Sequence, residues 1–186
     1  MRNNGRFQPY QRAFASALKA IMSEKPFEKI SIGDICERCD MNRKSFYYHF
    51  RDKYDLVNWI FDTEFVPLAT GINLQAGWDI LLQLCQSMYD NRGFYRKALQ
   101  ITGQNAFSDH FQEVLVTVVT QYLQILFEGQ EVTPFHVAFF ADAIVCAIKR
   151  WLLNIDPDVP ECFVDQLKSC VYLSADKVYH NMQTDE

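Results

Sequence analysis

The densest chemistry in this 186-residue chain lies in one run, Asn42-Arg43-Lys44-Ser45-Phe46-Tyr47-Tyr48-His49-Phe50-Arg51. It gathers guanidinium, ammonium, hydroxyl and imidazole groups and holds no carboxylate. Such groups donate to phosphate oxygens and to the acceptor edges of bases. Asn42 suits a helix N-cap, because its side-chain oxygen can accept from an N–H that lacks an intrahelical partner. In the helix that follows, Phe46 and Phe50 share one face, which is assigned to the core. Arg43, Lys44, Tyr47 and Tyr48 then occupy the outer arc. A short helix with this face fits the major groove of B-DNA, about 12 Å wide. Its first turn brings Arg43 and Lys44, with Ser45 beside them, to base edges. Tyr47, Tyr48 and His49 follow at the level of the phosphates. The competing reading is a solvated basic face on an ordinary helical protein.

The residues before this run weigh against that second reading. Ile30 to Arg38 reads as a short helix capped by Ser31, with Ile32, Ile35 and Cys36 as its apolar stripe. A three-residue turn, Cys39-Asp40-Met41, separates it from the basic helix. Helix, tight turn and helix with a polar outer face is the pattern of a helix-turn-helix. Cys36 and Cys39 are spaced as half of a zinc site, but no second Cys or Cys/His pair follows at zinc spacing, so no metal is expected. Cys85, Cys146, Cys162 and Cys170 fall in helical patterns and read as small core residues. Asp109-His110 has no nearby nucleophile with an orienting partner, and Cys85 has no His at a readable spacing. Neither an enzyme nor a cofactor is therefore expected.

From Phe27 to Lys53 the chain resembles the DNA-binding domain of TetR-family transcription regulators. Phe27, Ser31, Ile35, Cys36, Ser45, Phe46, Tyr47, His49, Phe50 and Lys53 carry the match. It departs from the family at Asp40, where a glycine is frequent in the turn, and at Arg43, where a small residue is frequent. Ser31 and Lys53 join Tyr47 and His49 as expected phosphate contacts. A narrower likeness runs through Lys53-Tyr54-Asp55-Leu56-Val57-Asn58-Trp59-Ile60 and Gly103-Gln104-Asn105-Ala106-Phe107. It is similar to a Firmicutes-type branch that includes the activator of dihydroxyacetone kinase operons. The expected function is thus a sequence-specific transcriptional regulator. The alternative is a helical protein-interaction adaptor that has lost DNA binding, against which Tyr47, His49 and Lys53 stand.

The net charge of −5, taken globally, speaks against a nucleic-acid partner. Its distribution reverses the argument. Residues 1–54 hold 11 Lys/Arg and 6 Asp/Glu, whereas residues 55–186 hold 7 and 17. A basic DNA-binding head, 1–54, on an acidic regulatory and dimerisation body, 55–186, puts the electrostatic footprint in one place. No stretch is long and apolar enough to span a bilayer, and the N-terminus lacks a signal-peptide apolar region. A cytoplasmic protein with no membrane partner is expected.

The whole chain reads as all-α, with about nine helices and a polar arm at residues 1–8. Helix 1 runs from Pro9 to Lys25, with Phe14, Leu18, Ile21 and Met22 facing a core, and Pro26 ends it. Helix 4 starts near Asp52 and stops at Pro67, and residues 70–76 form a loop. Helices 5 and 6 follow at Gly77–Asp90 and Phe94–Ile101. After a break at Gly103-Gln104-Asn105, helix 7 covers Ala106–Phe127. Thr133 and Pro134 open helix 8, which runs to Asn154. Helix 9 covers Pro160–Tyr179.

The family resemblance implies three more features. Helices 8 and 9 pair with their copies in a homodimer, with Phe135, Phe139, Ala143, Ala147, Trp151, Phe163, Leu167 and Val171 at the interface. Two recognition helices then meet a pseudo-palindromic operator about 34 Å apart. A pocket within the body, lined by Trp78, Tyr89, Tyr95, Asn105, Phe107 and His110, takes a small apolar metabolite as effector. In the dihydroxyacetone-kinase-type case the effector is instead a partner protein that carries the metabolite.

Overall fold

Caps and breakers set the helix ends in the computed structural model, which describes residues 8–65, 76–103, 106–127 and 130–184. Helices α1 (Gln8–Glu24), α2 (Ile32–Arg38), α3 (Arg43–His49) and α4 (Lys53–Phe65) form the N-terminal part. Helices α5 (Ala76–Asp90), α6 (Arg92–Ala98), α7 (Phe107–Leu126), α8 (Pro134–Leu153) and α9 (Pro160–Thr184) form the rest. Among the described residues there is no strand. The chain is all-α, as expected. A 3₁₀ turn at Phe27–Lys29, which the periodicity does not foretell, follows Pro26. Helix α6 begins earlier than Phe94, because the Asn91 carbonyl already accepts the N–H groups of Phe94 and Tyr95. The arm at residues 1–7, the loop at 70–75 and the break at Gln104-Asn105 lie outside the described residues.

The short helices of the head depend on their caps, since seven residues form too few internal bonds to hold a helix alone. Ser31 Oγ accepts from Asp34 N, and the Asp34 carboxylate accepts from Ser31 N at 2.7 Å, closing a capping box. Asn42 Oδ1 accepts from Ser45 N at 2.8 Å. Between them Asp40 takes φ +53°, the left-handed conformation for which the family often uses glycine. Asp is among the few residues that tolerate it. Thr133 caps α8 as expected, with His136 Nδ1 accepting from Thr133 N in return.

Aromatic rings fix α3 to its neighbours. Phe46 and Phe50 are buried, with ring centroids 5.3 and 6.3 Å from Phe14 of α1. Phe50 also lies 5.7 Å from Trp59 of α4. Truncating a fully buried ring such as Phe46 costs about 3–5 kcal/mol, so the direction in which α3 projects is set by this cluster. The core continues without a break into the body through Phe61, Phe65, Tyr95, Phe107 and Phe111. There α7 packs along α8 and α5 along α9. Trp151 of α8 is stacked between Tyr89, at 5.9 Å, and Phe163, at 4.6 Å. Its indole N–H donates to the Asp158 carbonyl, which closes the α8–α9 turn.

Candidate nucleic-acid interface

With Phe46 and Phe50 turned inward, Asn42, Arg43, Lys44, Tyr47 and Tyr48 all lie on the exposed side of α3. Tyr47 and Tyr48 are 58% and 72% exposed, far above what a buried aromatic would show. Ser45 and His49 are half-buried at its margin. The His49 ring is stacked 6.3 Å from Tyr10 of α1, and its desolvation pushes the imidazole below the ordinary histidine range. Among the described residues no carboxylate pairs with Arg43 or Lys44. The arrangement is a projecting donor surface on a buried aromatic footing.

Two expected phosphate contacts are engaged elsewhere. The Ser31 hydroxyl donates to Asp34 Oδ2 at 2.8 Å and also caps α2. Asp34 is in turn held by Lys25 at 2.9 Å. The Ser31 backbone N–H, together with Lys25, lowers its carboxyl to about 2. Lys53 is the more firmly engaged of the two. Its Nζ donates to the carbonyls of Phe27 at 2.7 Å and Ile30 at 2.9 Å and lies 4.4 Å above the Phe27 ring. Desolvation there pulls the ammonium below the ordinary lysine range. The ammonium satisfies the carbonyls of the 3₁₀ turn and so ties the start of α4 to the approach to α2, instead of reaching outward.

The model described as "Bacterial regulatory proteins, tetR family" matches residues 15–60, and "Transcriptional regulator C-terminal region" matches residues 78–172, just over half of the chain. This chain belongs to the TetR family of bacterial transcriptional regulators. Among its relatives is the HTH-type dhaKLM operon transcriptional activator DhaS of Lactococcus lactis, 26% identical over 149 residues that cover 75% of this chain and 77% of that protein. The solved structure of the dihydroxyacetone kinase operon activator DhaS superposes with a TM-score of 0.67 at 22% identity, covering 89% of this chain and 95% of the other. A TetR transcriptional regulator from Streptococcus agalactiae gives 0.62 at 18% identity, covering 86% and 92%. NalD, the secondary repressor of the MexAB-OprM multidrug efflux pump in Pseudomonas aeruginosa, gives 0.60 at 18% identity, covering 89% and 95%. At these identities the structural likenesses establish the fold.

In the body of this TetR-family chain, Tyr95, Phe107 and His110 meet around the buried Phe61 ring, whereas Tyr89 and Trp78 lie apart from them. Tyr95 and Phe107 are buried core rings, 5.9 Å apart. Tyr95 donates to Glu64 of α4, which also pairs with Lys19 of α1 at 2.5 Å. Burial first, and the Glu64 charge second, raise its phenol well above the ordinary value. Tyr89 is stacked on Trp151. His110 Nε2 lies 2.6 Å from Asp62 of α4, and that bond raises the imidazole above its ordinary value against partial burial. Asn105 lies outside the described residues. Trp78 lines an apolar cavity of about 80 Å³, together with Phe65, Leu84, Leu115, Val119 and Tyr122. That is well below the roughly 300 Å³ at which drug-sized ligands begin to fit.

The expected interface residues divide in two. Phe135, Phe139 and Ala143 of α8 and Val171 of α9 are exposed, and Ala147 and Leu167 are half-buried. An open groove of about 550 Å³ runs between the two helices here, lined by Ala143, Ala147, Leu167 and Cys170. Trp151 and Phe163 reach its edge but are 6% and 7% exposed, because each mainly stacks on the other. Cys146, Cys162 and Cys170 are exposed, not core as their helical spacing had implied. Cys85 is buried, and desolvation pushes its thiol up to about 12. No group of His, Cys, Asp or Glu that could hold a metal occurs among the described residues. None of their helices is long and apolar enough to cross a membrane.

Beside α3, two neighbours went unseen in the sequence, Tyr10 against His49 and Gly33 against Arg43. Tyr10 carries no local signal, because only the tertiary packing of α1 on α3 brings it to His49. Gly33 does carry one, an isolated glycine inside a helical pattern.

Proposed function

We propose that this regulator acts as a homodimer that seats two copies of α3 in successive major grooves of a pseudo-palindromic operator. Residues 1–54 are the reading head, and residues 55–186 carry dimerisation and effector response. The observation that carries this reading is the carboxylate-free donor face of α3, held outward by Phe46 and Phe50. Arg43 and Lys44, on the first turn, read base edges, and a planar guanidinium suits the O6/N7 edge of guanine. Asn42, Tyr47, Tyr48 and His49 hold phosphates around them, with Ser45 between the two sets. Ser31 and Lys53 support these contacts by building the head. The α8 stripe of Phe135, Phe139 and Ala143, uncovered in one chain, becomes the core of the dimer.

The finer reading is a DhaS-like activator whose effector is a protein. Among the described residues, the apolar cavity beside Trp78, about 80 Å³, is small for a metabolite. A partner docked on the acidic body can instead bias head spacing through its differential affinity for two states. The experiment is selection of bound fragments from genomic DNA, followed by fluorescence anisotropy on the best fragment. The expected result is an inverted repeat with half-sites one helical turn, or a multiple of one, apart. Failure to enrich any sequence at low salt overturns the reading.

A further inference from the structure

Gly33 lies in the first turn of α2, where neither a positive φ nor a turn calls for glycine. Glycine in a helix costs stability against alanine, so its presence needs another reason. The space that a side chain would take is occupied by Arg43. A Cβ built on Gly33 would lie 2.7 Å from Arg43 Nη2 and 3.5 Å from its Cζ, with Ser31 Oγ at 3.4 Å. Arg43 opens α3, and side chains on a helix lean toward its N-terminus. From that position the guanidinium reaches back across the Cys39–Met41 turn and rests on α2. Cys36, three residues on from Gly33 and on the same face, is raised by burial, and the Arg43 charge acts against that rise. The guanidinium therefore lies along the Gly33–Cys36 side of α2, with no carboxylate partner among the described residues.

We propose that Gly33 and Arg43 form a single specificity device. The missing side chain on α2 is a notch, and the notch sets the direction in which Arg43 presents its donors. The base pair that Arg43 reads then lies beneath the junction of α2 and α3, not beneath the middle of α3. Any side chain at position 33 lifts the guanidinium off α2 and moves or loosens that contact. Lys44, exposed next to it on α3, reads independently. This rests on the proposal that α3 reads bases.

The test uses the full-length protein and a randomised library built on its selected operator, with Gly33→Ala, Arg43→Ala and the double variant beside the natural chain. Arg43→Ala is expected to relax preference at one base pair per half-site by roughly tenfold. Gly33→Ala is expected to relax or change the same base pair by a similar factor, with the salt dependence of binding unchanged. In the Arg43→Ala background, Gly33→Ala is expected to add nothing. Alanine favours the helix more than glycine does, so a melting curve at or above the natural one confirms that the Gly33 variant folds. If Arg43→Ala relaxes one base pair and Gly33→Ala leaves it untouched, or if the two effects simply add, the notch has no such role. If Arg43→Ala changes no base preference, the assignment of Arg43 to base reading falls instead, and the device with it.

Discussion

Lys53 shows how far a side chain's type can stand from its task. A lysine at the start of a helix beside a basic reading surface invites a phosphate, yet its ammonium is bound to the carbonyls of Phe27 and Ile30. Hydrogen bonds to a charged donor contribute about 1.5–3 kcal/mol each when made well, and orphaned carbonyls cost more than absent ones. Lys53→Met, which keeps the apolar stem over the Phe27 ring, is therefore expected to lower unfolding stability by about 1–3 kcal/mol. Denaturant titration measures this. The slope of log affinity against log salt should stay within half a unit of the natural one, whereas a lost phosphate contact lowers it by about 0.9. An unchanged midpoint with a reduced slope would return Lys53 to the phosphates.

At the scale of elements, α4 is the member that both halves of the molecule hold. Trp59 meets Phe50 of the head, Glu64 meets Lys19 of α1 and Tyr95 of α6, and Asp62 meets His110 of α7. The last pair has a pH signature. The folded-state value of His110 is raised above the ordinary 6.5, chiefly by the hydrogen bond to Asp62. Its contribution is fully present below about 6.5 and is lost as pH rises through the higher folded value. Stability should therefore fall as pH increases above about 6.5, a slope that His110→Gln should flatten. Thermal melts across that range, in both proteins, are the measurement. A slope that survives in His110→Gln would place the titrating group elsewhere.

For the whole molecule, the exposed stripe on α8 and the groove beside α9 are the features a single chain leaves open. Phe135 and Phe139 are 76% and 60% exposed, and large aromatic rings at that exposure usually mark an interaction face. Phe139→Arg is expected to shift sedimentation from dimer to monomer at micromolar concentration. Operator affinity should drop by roughly tenfold or more, because the two heads then bind separately. The helical circular dichroism should remain. A variant that stays dimeric would remove α8 from the interface.

Much of this was open to inspection in the chain itself, because it depends on neighbours in sequence. The caps at Ser31, Asn42 and Thr133, the breaker Pro26 and the i, i+4 pair Phe46 and Phe50 act over one helical turn. The helix-turn-helix, its basic face and the all-α class follow from them. What required the fold were matters of distant partners. The carbonyls that Lys53 meets lie 23 to 26 residues earlier. The stacking that buries Trp151 and Phe163, and the packing of α7 on α8 and of α5 on α9 that leaves Cys146 and Cys170 outside, join separate helices. The same holds for Tyr95 and Phe107, which periodicity marks as inward but not as core or pocket wall. A helical repeat says which side of a helix is apolar. Only the placing of one helix against another says whether that side meets protein, a cavity or a second chain.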